Sequence, residues 1–301
     1  MGKYAPGMEP VEMGRSSICI FCGSKQELTD EHVVPYSIAG PWVYRKATCR
    51  VCQDKFKPFE SRILKRFLGP MRDKLEAPSR TPKTQPPSHT ITLGFADGST
   101  KDVTGNMNDI PVVISFPEIG PAGIGIPDAN PEQVRIIGVS TALLDTSAAE
   151  KLVKQHGATE IKGELQVVPS DWLRLIGKVG YAFACAQYGA ENVLESPIVP
   201  ALLGISNDIG QWVGSLTPEE SPPVPAGMVH HVQLKINDTT VLAMVRLFAQ
   251  WNGPAYVVVC GRAKPGFTPK ASSEFVQRKL MEKNWFPASN GANFKINVQP
   301  R

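Results

Sequence analysis

The 301-residue sequence predicts an α+β fold in two parts: a small cysteine-clamped N-terminal domain, then a larger α+β domain with antiparallel strands around a central buried helix. Three observations carry this. Two Cys-x-x-Cys pairs, Cys19 with Cys22 and Cys49 with Cys52, sit near the start. Residues 77–88 hold four prolines in a dozen positions, the composition of a linker. Beyond them, short β-type runs surround one long apolar stretch of helical character. The expected organisation is a cysteine-clamped domain at 15–77, a linker at 78–88 and an α+β domain at 89–301.

Each Cys-x-x-Cys turn places two thiolates on one side of a tight knuckle, and two knuckles complete a tetrahedral shell. Structural zinc is therefore expected on Cys19, Cys22, Cys49 and Cys52. The segment between the pairs, Gly23 to Thr48, exceeds the roughly 15–20 residues of a plain zinc ribbon and has room for a β-hairpin. Two disulfides are the rival reading. They are disfavoured because residues 1–14 contain prolines and glutamates and no apolar core of a secretory signal. Pro6 also breaks the pattern of a myristoylation signal, and a cytoplasmic protein is expected. A thioredoxin-type redox motif would occur once, beside a βαβ pattern. Cys185 and Cys260 lie in apolar surroundings and read as core residues.

Between the knuckles runs Asp30-Glu31-His32-Val33-Val34-Pro35. Together with Cys19-x-x-Cys22-Gly23 and Ala47-Thr48-Cys49-x-x-Cys52 leading into Lys55 and Phe56, it resembles the HNH endonuclease family in its four-cysteine, ββα-metal form. The likeness covers about the first quarter of the chain. It implies zinc on the four cysteines, His32 as general base, and a catalytic Mg²⁺ or Mn²⁺ held by Glu31. The family's Asn or His after the last cysteine is Gln53 here, so Gln53 or Asp54 would complete that metal site. The family's middle Asn has no equivalent in Tyr44-Arg45-Lys46-Ala47-Thr48. The function so implied is metal-dependent hydrolysis of DNA phosphodiester bonds. The alternative is a non-catalytic, zinc-dependent nucleic-acid-binding protein with a degenerate site.

The residues suit that chemistry on their own terms. A neutral imidazole near pH 7 can take a proton from water, and a divalent ion held by carboxylate and amide oxygens can neutralise a phosphate. Strand alternation points Glu31 and His32 to opposite faces, so both can act only where the backbone turns or bulges. Glycosidase-type chemistry has no support, because no second carboxylate stands at a comparable distance.

Residues 1–83 carry 15 basic and 9 acidic side chains, whereas the remainder carries 17 and 19. Positive charge thus lies beside the acid–histidine pair, as binding to a phosphate backbone requires. A helix is expected from near Lys57-Pro58, with Phe56, Phe59, Ile63 and Phe67 on one apolar face. Lys55, Arg62, Lys65 and Arg66 then share a flank that can follow a phosphate backbone. Nothing in this stripe can read bases.

In the second part, strands are expected at 90–95, 112–116 and 134–139. A pair at 229–236 and 241–248 should turn at Asn237-Asp238, followed by a strand at 256–260. A helix at 171–188, capped by Ser170 or Asp171, is apolar nearly all round and so buried. A last amphipathic helix is expected at 273–282. Substrate positioning, self-association and sensing of a small-molecule signal are the roles open to this part. No run reaches the ~18 apolar residues of a membrane span.

Three features imitate motifs. Gly177-Lys178-Val179-Gly180 lies inside the apolar helix, so close packing explains its glycines better than a nucleic-acid-clamping loop does. Lys178 there is a snorkelling or paired lysine, or lines a pocket. His230 and His231 point to opposite strand faces. Residues 120–127, glycine-rich without the dinucleotide-loop spacing, read as a flexible surface loop.

Overall fold

The computed structural model describes residues 10–77, 87–223, 228–269, 274–277 and 295–300. Helices and strands are mixed throughout, as an α+β chain requires.

The first part opens with strand β1 (Val11–Arg15), followed by a hairpin of β2 (Leu28–His32) and β3 (Trp42–Cys49). β3 is central, antiparallel to β2 and parallel to β1. Between the hairpin strands, Tyr36–Ile38 makes one 3-10 turn. A side chain on Gly40 would meet the Val34 carbonyl oxygen at 2.2 Å, so this tight return requires glycine. Helix α1 (Arg50–Ser61) starts directly at Cys49 and runs into a π-helical turn, Arg62–Phe67, and α2 (Gly69–Lys74). The helix thus begins seven residues earlier than Lys57, and Pro58 sits inside it. Pro58 removes one backbone donor without stopping the helix, because Phe56, Phe59 and Ile63 are all buried on one face and hold it to the core.

The remainder contributes β4 (Ser88–Gly94), β5 (Thr100–Asn106), β6 (Val112–Ile119), β7 (Ile136–Leu144), α3 (Thr146–His156), β8 (Glu160–Leu165) and the long α4 (Pro169–Tyr188). After these come β9 (Val193–Leu194), α5 (Ile198–Leu202), α6 (Ile209–Trp212) and β10 (Val213–Ser215). The last are β11 (His230–Asn237), β12 (Thr240–Leu247), β13 (Ala255–Ala263), β14 (Glu274–Gln277) and β15 (Lys295–Pro300). The main sheet has the order β10-β13-β12-β11-β14, with β9 added to β13. A second sheet runs β15-β8-β4-β5, and β6 and β7 form a separate hairpin.

The β11–β12 hairpin turns at Asn237-Asp238 as expected, with Asp238 in the left-handed region. Other expectations fail. Residues 274–277, placed in a terminal helix from sequence, form β14 against β11; pairing with an open sheet edge overrides local helical periodicity. The rest of 273–282 lies outside the described residues, as do 78–86 of the expected linker. The cap of α4 is also different. Val168 stands at the cap with Pro169 in the first turn, and Asp171 faces Arg62 instead.

α4 lies between the main sheet and the cysteine-clamped part. Fifteen of its twenty residues are buried, the pattern of a helix covered on all sides. A Cβ on Gly180 would meet Val258 and Ala243 at 3.0–3.1 Å, and one on Gly177 would meet Ile198 at 3.0 Å. Close packing on the main sheet and α5 therefore explains both glycines. On its other side, Tyr181 donates to the Ile20 carbonyl (2.8 Å), and Phe183 meets Trp42. One hydrophobic core runs from the cysteine knuckles through α4 into the main sheet. Residues 120–127 are partly packed: Ala122 and Gly123 are buried, and Gly123 abuts Gln211.

Candidate active site

The hairpin brings the two knuckles together. The sulfur atoms of Cys19, Cys22, Cys49 and Cys52 all lie within 4.8 Å of one another, and the Cys22 and Cys49 sulfurs are 3.6 Å apart. A tetrahedral zinc with bonds of about 2.3 Å puts its sulfurs about 3.8 Å apart, so the donor set fits zinc. All six cysteines are free thiols. Burial pushes the Cys19 thiol up to about 11 and raises Cys52 as well. Buried thiols of that kind become thiolates when a cation compensates them. Cys185 and Cys260 are core residues, wholly buried elsewhere.

The same hairpin builds a cleft of about 340 Å³, lined among others by Asp30, Glu31, His32, Tyr36, Gln53, Glu60, Arg72 and Lys178. The β2–β3 register shifts between Thr29 and Glu31, and opposite the shift Lys46 adopts φ +52°. Glu31 and His32 keep regular pairing with Tyr44 and Val43 and both line the cleft at the end of β2, and the extra residues of the irregularity lie on β3. Asp30 pins it. Its carboxylate accepts from Arg45 (2.6 Å) and from the Lys46 amide (3.1 Å). Partial burial works against the Asp30 charge, yet these partners hold the carboxyl below the usual aspartate range.

Beyond His32, the chain is fixed by the 3-10 turn. The His32 and Tyr36 rings are 5.8 Å apart. Arg72 donates to the Ser37 carbonyl (2.7 Å) and the Leu64 carbonyl (2.6 Å), tying α2 to this loop. His230 of β11 reaches the Ile38 carbonyl at 3.0 Å, and the Phe248 amide donates to its other ring nitrogen at 3.3 Å. That arrangement fits neutral imidazole only, and burial pushes its pKa down to about 4.

Glu31 is only 3% exposed. Thr48 donates its hydroxyl to Oε2 (2.5 Å), and the Lys178 ammonium donates to Oε1. Lys178 also pairs with Glu60 of α1 at 2.9 Å and lies 5.2 Å from the Phe56 ring centre. Burial opposes the ammonium charge, but the two carboxylates outweigh it and hold Lys178 protonated, above the ordinary lysine range.

The expected divalent-ion site does not fit this arrangement. Both Glu31 oxygens are engaged, and the cation beside them is Lys178. Asp54 is exposed, points to Lys57 (2.5 Å) and Arg50 (3.7 Å), and is absent from the cleft lining. Gln53 does line the cleft but offers a neutral amide.

The basic flank is divided. Lys55, Lys65 and Arg66 are exposed, whereas Arg62 makes an ion pair with the buried Asp171 of α4 (2.9 Å). Sequence reasoning gave Thr48 no role beyond its place in the second knuckle motif, and missed Glu60 and Arg72, which carry no motif. Lys178 did carry a signal, a charge inside an apolar helix, and it proves both paired and pocket-lining.

No curated protein and no solved structure matches the chain. Residues 19–68, which hold the four clustered cysteines together with Glu31, His32 and Gln53, match the model of the HNH endonuclease family.

Proposed function

We propose that the chain is a nuclease that hydrolyses phosphodiester bonds, DNA being the substrate, with His32 as the general base. The observation that carries this reading is the placement of His32 at a cleft on the hairpin that joins the two cysteine knuckles, within the segment matching the HNH endonuclease family.

The chemistry follows from these groups. His32 takes a proton from a water molecule as the water oxygen bonds to phosphorus. The opposite P–O bond breaks, its electron pair leaves on the departing oxygen, and that oxygen takes a proton from solvent. Arg72, bonded to backbone carbonyls at Ser37 and Leu64, offers a positive charge at the cleft to the phosphate, and Lys57 lines it as well. The exposed Lys55, Lys65 and Arg66 extend basic character along the helix, where phosphate contacts position a duplex without reading its sequence. The larger part of the chain serves as the support that positions the site, through α4. We place the protein in the cytoplasm, a compartment that keeps zinc-binding thiols reduced; among the described residues no helix is long and apolar enough to cross a membrane.

The engagement of Glu31 by Lys178 and the neutral Gln53 favour a second reading, a zinc module that binds nucleic acid without cutting it. Incubation of the zinc-loaded chain with supercoiled plasmid separates the two. Nicked and linear products support the nuclease. A gel shift that leaves the plasmid intact, with and without Mg²⁺ or Mn²⁺, supports the binding module.

A further inference from the structure

We propose that Lys178 takes the place of a catalytic divalent ion: its ammonium is the fixed cation between Glu31 and Glu60, and cleavage here proceeds without added Mg²⁺ or Mn²⁺. The activity part of this inference rests on the nuclease reading; the cation-binding part does not.

Two carboxylates from separate elements, β2 and α1, converge on the single Lys178 nitrogen. Like charges brought this close need a cation between them, and in many hydrolytic sites that cation is a metal. Here it is a side chain delivered from 147 residues away. The lysine does not sit on a swinging arm. Its helix is held by close glycine contacts on one side and by the Tyr181 bond to Ile20 on the other. The Phe56 ring adds a cation–π contact. A divalent ion entering the cleft would have to share Glu31 and Glu60 with a buried ammonium 6% exposed, and like-charge repulsion opposes that. It would also lack Asp54, whose carboxylate points to Lys57 and Arg50.

Lys178 lines the cleft that His32 faces. An N–H of its ammonium can donate to a non-bridging phosphoryl oxygen while charge builds there. It keeps its proton throughout: the water proton goes to His32, and the departing oxygen is protonated by solvent.

The test is Mn²⁺ binding to the zinc-loaded full-length chain, read from the electron paramagnetic resonance signal of free Mn²⁺, in wild type, Lys178→Met and Lys178→Gln. Lys178→Gln keeps an amide that can hydrogen-bond both carboxylates, in case Lys178→Met does not fold. The wild type should show no Mn²⁺ site in the micromolar range, and the neutral variants should gain one that is at least about tenfold tighter. A micromolar Mn²⁺ site in wild type, or unchanged weak binding in a folded neutral variant, overturns the proposal. Plasmid nicking is the parallel readout. Equal wild-type rates in divalent-free buffer and in Mg²⁺ support it, and cleavage only with added divalent ion overturns it. If no condition yields cleavage, the nuclease reading falls, and Mn²⁺ binding still decides the role of Lys178.

Discussion

The thiol cluster and the acid–histidine cleft share one hairpin, yet they are held together in opposite ways. All four thiols come from Cys19 to Cys52, two from each knuckle, and their geometry is complete within that stretch. The cleft takes Asp30, Glu31 and His32 from the same stretch but is finished by Lys178 of α4 and pinned by His230 of β11. One is a local device and the other a tertiary one. The difference is that a metal knuckle can be carried by a short motif, whereas the charge balance of a buried carboxylate is set by whatever the rest of the fold brings to it.

Breaking the local device should have the largest effect. Cys19→Ser or Cys52→Ser is expected to unfold the hairpin and α1, since structural zinc contributes on the order of 10 kcal/mol in small metal-dependent units. Zinc content should fall from one ion per chain, with loss of the circular dichroism signal of the folded segment. Because one core joins the knuckles to α4, the loss should spread to the main sheet.

Breaking the tertiary device should cost less. Lys178→Met leaves Glu31 buried beside Glu60, and removing one partner of a buried ion pair typically destabilises by about 3–5 kcal/mol. The denaturation midpoint should drop while bound zinc is retained. Restoring stability by the second substitution Glu31→Gln would show that the loss comes from the stranded carboxylate.

His230 sharpens the comparison through pH. Its folded-state pKa is depressed to about 4 from an ordinary 6.5, so the unfolded chain binds the proton first as pH falls. The stabilisation is therefore complete above pH 6.5 and is lost on descending towards pH 4, by about 3 kcal/mol at most. Denaturant unfolding of wild type against His230→Gln should show a steeper acid dependence in wild type over that window. Equal slopes would remove His230 as the pin of the His32 loop. The smallest effect expected is that of Thr48→Val, which removes one hydroxyl from the buried Glu31 carboxylate and should cost about 1–3 kcal/mol without loss of zinc.

The same division explains what could be read in the sequence. The knuckles, the hairpin between them and the β11–β12 turn at Asn237-Asp238 are written in residues a few positions apart, and the structure has them where the spacing put them. The burial of α4 was legible in its apolar run from Trp172 to Ala186, broken only by Arg174 and Lys178. The start of α1 was misplaced because Pro58 looked like a first-turn proline, whereas Cys49 already caps the helix. β14 was misread because its pairing partner lies some forty residues upstream. Glu60 and Arg72 could not be singled out, since their roles depend on which helix faces which loop. The partner of Lys178 was invisible for the same reason.

The most direct test of His32 as base is the plasmid-nicking rate of the full-length chain against His32→Ala at equal zinc content. A general base contributes typically about 10²–10⁴-fold, so the variant should lose activity by that factor while still shifting DNA on a gel. Equal nicking by the two proteins would contradict the account.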